Sequence, residues 1–371
     1  MFRNGILKNN FNKKSSFLLK RSCLLFVFFC FAYSVNAQKP HPEVKAEKGD
    51  GIFSILRKHG IDPAKYYKEF IDINKEKLGP ENRLFIGKTY LLPMVKDSVL
   101  PVKLKEAVLA DSIPPPVADE VPEAKKVEYP IFGEKYASVP LEDKQLEGAV
   151  YYLVSGHGGP DPGAVVKHKG KTISEDEYAY DVTLRLGRKL ISHGARVFLI
   201  IQDADDGIRD ERLLELDTDE VNYPNKKIPR SQRLRLKLRT ESVNRLFLAN
   251  AGTYQRLIVT HVDSRSKGKN IDVFFYHHER SKKGKGLAEN IHKTFKKKYA
   301  RYQPNRTYSG TVSSRNSLYM VQNTLPATVY IELGNIRNEK DQRRILDPDN
   351  RQALAKWIGE GLMLDFTEDQ K

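Results

Sequence analysis

Three short apolar runs in this chain each end in a residue able to hold a metal ion or move a proton. Tyr151 to Val154 reads as a strand that breaks into Ser155-Gly156-His157-Gly158-Gly159-Pro160-Asp161-Pro162-Gly163. The glycines let the backbone turn with little side-chain bulk, so His157 projects from the end of the strand, a good place for a metal ligand. Arg256 to Thr260 is a second such run and ends in His261. Thr328 to Ile331 is a third, and there Glu332 stands where the apolar alternation should continue. A carboxylate in a buried strand is costly unless it is paired, bound to metal or held for chemistry.

The elements that must position these groups follow from the periodicity beyond about Gly148. Strand 149–154 leads to a helix over 176–193, whose Val182, Leu186 and Leu190 share one face and whose stop is Gly194. Strand 196–202, helix 233–250, strands 256–261 and 270–276, helix 286–299, strand 327–332 and helix 351–364 follow in turn. This alternation predicts an α/β fold, a mainly parallel twisted sheet with helices on both faces. Sites in such sheets lie at the carboxyl ends of strands, where His157, His261 and Glu332 fall.

The 371 residues, 40% of them hydrophobic, suffice for one large domain and a small one. The first 37 read as a cleaved secretory signal peptide. Six basic residues precede the apolar run Leu24 to Tyr33, and Val35-Asn36-Ala37 offers small residues for a signal peptidase. Both cysteines, Cys23 and Cys30, lie inside this segment, and the bulky Val27-Phe28-Phe29 argues against lipid attachment at Cys30. A chain cleaved after Ala37 has no disulfide, thiolate metal site or cysteine nucleophile, so its metal ligands must be His, Asp or Glu. It is expected to be periplasmic or secreted, with no membrane span after cleavage. It keeps 57 basic against 47 acidic residues, a formal +10. That balance suits a polyanionic partner, and export makes nucleic acid the least suitable one.

Residues 42–94 form a first unit. Lys48-Gly49-Asp50 leads into the helical run Ile52-Phe53-Ser54-Ile55-Leu56, closed by Gly60; a second helical run covers 63–74, and Gly87 to Pro93 is a short closing strand. This order resembles a small α+β LysM module, which implies binding of glycans that contain N-acetylglucosamine, although Tyr66 to Lys77 is longer and more charged than the usual spacing. Residues 95–140, with scattered prolines and no sustained period, read as a Pro-rich linker. The remainder, 146–368, is the large domain.

Gly156 to Gly163 resembles the opening of the zinc-dependent N-acetylmuramoyl-L-alanine amidases of the type-3 class, and the resemblance extends to the C-terminal helix. It implies that His157 binds zinc, that a glutamate at the start of the first helix is the second ligand, that His261 is the third, and that Glu332 is the catalytic acid. An ungapped register places the second ligand at Glu175, with Glu177 as the alternative within Glu175-Asp176-Glu177. Two imidazoles and one carboxylate leave a fourth position on zinc for water, as catalytic sites require. The family reaction implied is hydrolysis of the amide between N-acetylmuramic acid and L-alanine in peptidoglycan. The competing readings are a non-catalytic wall-binding scaffold or activator, and a zinc peptidase acting within stem peptides.

His168, His193 and His292 read as ordinary surface or core histidines, and His277-His278-Glu279 as neighbours pointing to opposite faces. Asp263, two residues beyond His261, is expected to orient the site. Residues 203–232 insert an acidic run, Asp203 to Glu220, and a proline-bounded stretch where the family passes quickly to the next helix. Some relatives carry a segment that covers the zinc until a partner removes it, which implies a protein activator; here the insertion is expected to border the cleft.

Overall fold

The computed structural model describes residues 41–371 apart from 48–49, 60, 62, 95–126 and 267. The expected signal peptide with both cysteines, Lys48-Gly49, Gly60 and most of the expected linker lie outside the described residues.

The N-terminal unit runs β1 (Glu43–Lys45), α1 (Ile52–Lys58), α2 (Pro63–Ile73) and β2 (Thr89–Leu91). Its core is Ile55, Leu56, Phe70 and Tyr90, none more than 0% exposed. Asn74, just past α2, is buried because its side chain substitutes for backbone. Its Oδ1 accepts from the Leu91 N–H at 2.7 Å, while its Nδ2 donates to the carbonyls of Leu91 and Phe70 at 2.8 Å.

The linker ends earlier than its proline content suggests. From Val127 the chain turns through a short 3-10 segment, Pro130–Phe132, and Tyr129, Phe132 and Val139 are buried in the core of the large domain. Three apolar side chains in thirteen residues give this stretch something to bury, so it packs instead of staying extended.

In the large domain, β3 (Ala149–Ser155) is followed by the hairpin β4 (Val165–His168) and β5 (Lys171–Ser174), then α3 (Glu175–Ser192), β6 (Arg196–Leu199) and β7 (Ile201–Gln202). Next come β8 (Val221–Asn222), β9 (Lys226–Lys227), α4 (Gln232–Ala249), β10 (Tyr254–Asp263), β11 (Phe274–His277), α5 (Lys282–Tyr302) and β12 (Thr311–Ser314). The chain closes with α6 (Tyr319–Asn323), β13 (Ala327–Asn335), α7 (Glu339–Leu346) and α8 (Pro348–Asp369). Helices α1 and α2 of the N-terminal unit lie against α6 and α4.

The central sheet has the order β12-β11-β13-β10-β3-β6. All its pairings are parallel except β11 with β13. Both faces are covered, so β3 is buried throughout. Alternation still sorts its side chains: Tyr151 and Leu153 join the core beneath α3, α5 and α8, while Val150, Tyr152 and Val154 join the one beneath α4 and α6. The chain leaves β3 for β6 on one side and returns to β10 on the other, a topological switch that opens a crevice at the carboxyl ends of β3 and β10. A buried ion network fixes α3 beside it. Asp181 accepts from Arg185 at 2.8 Å and from Arg351 of α8 at 2.6 Å, and Asp181 and Arg351 are fully buried.

Candidate metal centre

β3 stops at Ser155 because the turn that follows uses backbone conformations that suit glycine. Gly158, Gly159 and Gly163 have φ of 97°, 62° and 68°, and His157 itself has φ 67°. A non-glycine residue in that region stores strain and marks a position held by its surroundings. The glycines also make room. A Cβ on Gly156 would stand 2.2 Å from the His261 ring, and one on Gly163 would stand 2.7 Å from the His157 ring and 2.9 Å from Glu175 Cβ.

The hairpin β4–β5 carries the chain from this turn to the first residue of α3. Backbone pairing from Glu175 N–H to the Ala164 carbonyl, 2.9 Å, and a return from Ala164 N–H to Glu175 Oε2, 3.1 Å, fix the side chain. Glu175 Oε1 then lies 3.2 Å from His157 Nε2 and 2.8 Å from His261 Nδ1, and it accepts from the Val262 N–H at 3.1 Å. His157, Glu175 and His261 form a group whose ligand atoms all lie within 4.8 Å of one another. Glu177 is placed elsewhere and pairs with Arg209 at 2.8 Å.

The protonation pattern suits a cation. Burial opposes charge on His157, but Asp161 and Glu175 overcome it and hold its pKa up at about 9. Burial likewise works against a charged Glu175, yet the two imidazoles hold it well below the usual carboxylate range. His261 is lowered, chiefly by burial. His157 Nδ1 lies 2.9 Å from Asp161 Oδ2, an acceptor only, so Nδ1 carries a proton, and Nε2, 3.2 Å from Glu175 Oε1, is the nitrogen whose proton a cation would displace. One carboxylate and two imidazoles with converging ring nitrogens, one of them fixed from behind, fit a divalent metal.

Glu332 pairs in register with His261 across β10 and β13, so both side chains rise from the same face of the sheet. It is 7% exposed, and its Oε2 is buried without a hydrogen-bond partner. Burial, with the charges of Glu175 and Asp263, raises its pKa well above the ordinary value. The His261 ring stacks on Tyr330, centroids 4.5 Å apart.

Asp263 does not orient His261. Its oxygens accept from the N–H groups of Arg265 and Ser266 at 3.0 Å and close the turn after β10. The orienting residues are Asp161, and Arg235 and Arg239 of α4, none of which was singled out from sequence. Arg235 donates to Asp161 Oδ2 at 2.5 Å, and Arg239 donates to the His157 carbonyl. Burial and the charge of Arg235 lower Arg239 to about 10. Their signal was two arginines four apart on one helix face, which reads equally well as a solvated face. His168, His193 and His292 bond Gln342, Asp143 and the Gly310 carbonyl. His277 and His278 join no metal-ligand group among the described residues.

The inserted segment borders the turn. Glu220 Oε2 accepts from the Gly159 N–H at 2.6 Å, and a Cβ on Gly159 would stand 3.0 Å from Ile228. The three-stranded sheet β7-β8-β9 holds the two ends of the acidic stretch together.

The family model for N-acetylmuramoyl-L-alanine amidase matches residues 152–363. The germination-specific N-acetylmuramoyl-L-alanine amidase of Bacillus subtilis is 26% identical over 226 residues, 60% of this chain and 82% of that protein. The probable cell wall amidase LytH of Staphylococcus aureus is 27% identical over 231 residues, so the match spans only 61% of that relative's length. Among solved structures, the CwlD amidase of Clostridioides difficile in complex with the GerS lipoprotein is 23% identical, covering 59% of this chain and 98% of that one, with a TM-score of 0.43. The catalytic domain of CwlV from Bacillus (Paenibacillus) polymyxa is 19% identical at the same coverages, with a TM-score of 0.42.

Proposed function

The chain belongs to the N-acetylmuramoyl-L-alanine amidase family, peptidoglycan hydrolases that act at the bond between N-acetylmuramic acid and L-alanine, and from that premise we propose a zinc-dependent hydrolysis of this amide. The observation that supports it most is the convergence of His157, Glu175 and His261 beside the unpaired, buried carboxylate of Glu332. His157 Nε2, a Glu175 oxygen and a His261 nitrogen would hold the zinc. When bound, it supplies a Lewis acid that polarises the scissile carbonyl and acidifies the attacking water.

The chain's own groups do the rest. Glu332 takes the proton from that water as its oxygen adds to the lactyl carbonyl carbon, and returns it to the nitrogen as the carbon–nitrogen bond breaks. The products are a carboxylate on the muramyl lactyl group and a free L-alanine amine. Asp161 keeps His157 in the tautomer whose Nε2 is a donor to metal, and Arg235 keeps Asp161 in place.

Residues 42–94 are proposed to be a LysM-like glycan-binding module. A cleft of about 590 Å³ between this unit and the large domain, lined by Asp50, Lys58, Glu279, Arg280 and Asn316 among others, offers polar groups to a sugar chain. The chain is proposed to act outside the cytoplasm, where its substrate lies, after removal of residues 1–37. No helix among the described residues is long and apolar enough to cross a membrane.

The test is digestion of purified peptidoglycan by residues 38–371, with free amino-terminal L-alanine assayed beside a chelated sample and a Glu332→Gln variant. New alanine amines that vanish on chelation, return with zinc and fall about 10²–10⁴-fold in the variant are expected. Wall bound without any amide cut by the zinc-loaded protein would favour the scaffold reading, and new amines inside the stem peptide the peptidase reading.

A further inference from the structure

A second concentration of ligand-capable groups lies beside the site and takes no part in the chemistry above. The carboxylates of Asp203, Asp217, Asp219 and Glu220 form one group with ligand atoms all within 4.8 Å, and those of Asp176, Glu177 and Glu220 form another, so Glu220 is common to both. Asp203 stands directly after β7 and Glu220 directly before β8, while Asp176 and Glu177 are in the first turn of α3. Four of the six residues are nearly inaccessible: Asp176, Glu177, Asp203 and Glu220 are 2–5% exposed.

These groups are short of positive partners. Arg209 pairs with Glu177 and Asp206. Asp176 is the most telling. Its Oδ1 accepts from the Glu177 N–H at 2.9 Å, but its Oδ2 is buried with no hydrogen-bond partner, and Asp217 Oδ1 is in the same state. A buried carboxylate oxygen left without donor or counter-charge is expensive, and a cation relieves several at once. Crowding shows in the titration of the outer group too, since burial and neighbouring acids push Asp217 up to about 6 and Asp203 up to about 7. Donors that are all carboxylate oxygen select a hard cation over a thiophilic or imidazole-seeking one.

We propose that this carboxylate cluster, joined through Glu220, binds a hard divalent cation of the calcium class, which clamps the two ends of the inserted segment to the first turn of α3. The clamp reaches the reacting site by two short routes. Glu220 holds the Gly159 N–H of the turn that carries His157, and Asp176 follows Glu175 directly in the chain. The binding does not depend on the function proposed above.

The test is calcium titration of zinc-loaded residues 38–371, by calorimetry and by the shift in melting temperature, with magnesium chloride for comparison. Saturable calcium binding with a rise in melting temperature is expected. It should persist in a His157→Ala/His261→Ala variant, which separates this cation from the zinc. Glu220→Gln should weaken it at least tenfold. Asp217→Asn/Asp219→Asn, on the more exposed side, should do the same and guards against a folding failure of the first variant. Absence of calcium binding by the wild-type chain, loss of it in the histidine variant while that variant remains folded, or wild-type affinity in a folded variant of either carboxylate set, would overturn the proposal.

Discussion

His157 is gripped from behind by a carboxylate that is itself gripped by an arginine, and the strength of that chain can be measured. Asp161→Asn removes the charge that favours a proton on Nδ1 and weakens the contact to Arg235, while leaving a side chain of the same size. Zinc affinity is expected to fall about 10–100-fold, with the circular dichroism spectrum unchanged. Competition against a chelating dye reads this directly, and wild-type affinity would show that Asp161 plays no orienting part. His157, His261 and Glu332 were legible as candidates because each ends or interrupts an apolar run, a pattern that survives without knowledge of the fold, whereas Glu175 came only from the register of the family resemblance. Asp161 lies within the same motif as His157 yet carries no signal of its own. Asp and Gly are ordinary turn residues, and only the 2.9 Å contact distinguishes an orienting carboxylate from a turn former. Asp263 is the converse case: its spacing from His261 suggested an orienting role, but the turn it closes claims both of its oxygens.

The elements deliver these groups through two local constraints, each open to a single substitution. Gly156→Ala would place a methyl 2.2 Å from the His261 ring, which must then shift from its position beside Glu175. The expected outcome is loss of stoichiometric zinc by elemental analysis, even where the protein still melts cooperatively. Asp181→Ala acts on the helix instead. It leaves Arg185 and Arg351 buried without their shared anion, and the loss of such a partner costs about 3–5 kcal/mol. Urea denaturation should therefore show a much lower midpoint, and a change under 1 kcal/mol would contradict the role given to this network. Helix α3 and strands β3, β10 and β13 were readable because their hydrophobic period is sustained. The hairpin β4–β5 was not, since Val165-Val166-Lys167-His168 and Lys171-Thr172-Ile173-Ser174 are short and largely polar. Its turn at Lys169-Gly170, with φ 48° and 83°, has the form of a tight hairpin, and Gly170 was its one visible mark. The strand pairs β7-β8 and β8-β9 are only two residues long, too short for any periodicity to register.

Across the whole molecule, the basic balance expected of the chain beyond residue 37 conceals a strongly acidic interior patch, which gives stability a definite pH dependence. Glu220 is pushed up to about 8 by burial and by Asp176 and Glu177, and Asp203 up to about 7. A carboxyl group whose pKa is higher folded than unfolded holds a proton in the native state that the unfolded chain has already lost. Its contribution is therefore present at low pH and disappears as pH rises through the folded value. In metal-free protein His157, held up at about 9, works in the same sense above its ordinary value of 6.5. His261, lowered by burial, works in the opposite sense, chiefly below 6.5, and the depressed carboxylates Glu175 and Asp161 act only in acid, below the ordinary carboxylate range. Between pH 6.5 and 8.5 the remaining terms agree. Chelated protein should lose stability across that window by about 2 kcal/mol from Glu220 alone, or several degrees of melting temperature. Cations bound at the two proposed sites would replace those protons, so with zinc and calcium present the same scan should be nearly flat. A chelated protein whose melting temperature rises between pH 6.5 and 8.5 would show that the acidic patch is already neutralised within the fold, and would remove the physical reason for a cation there.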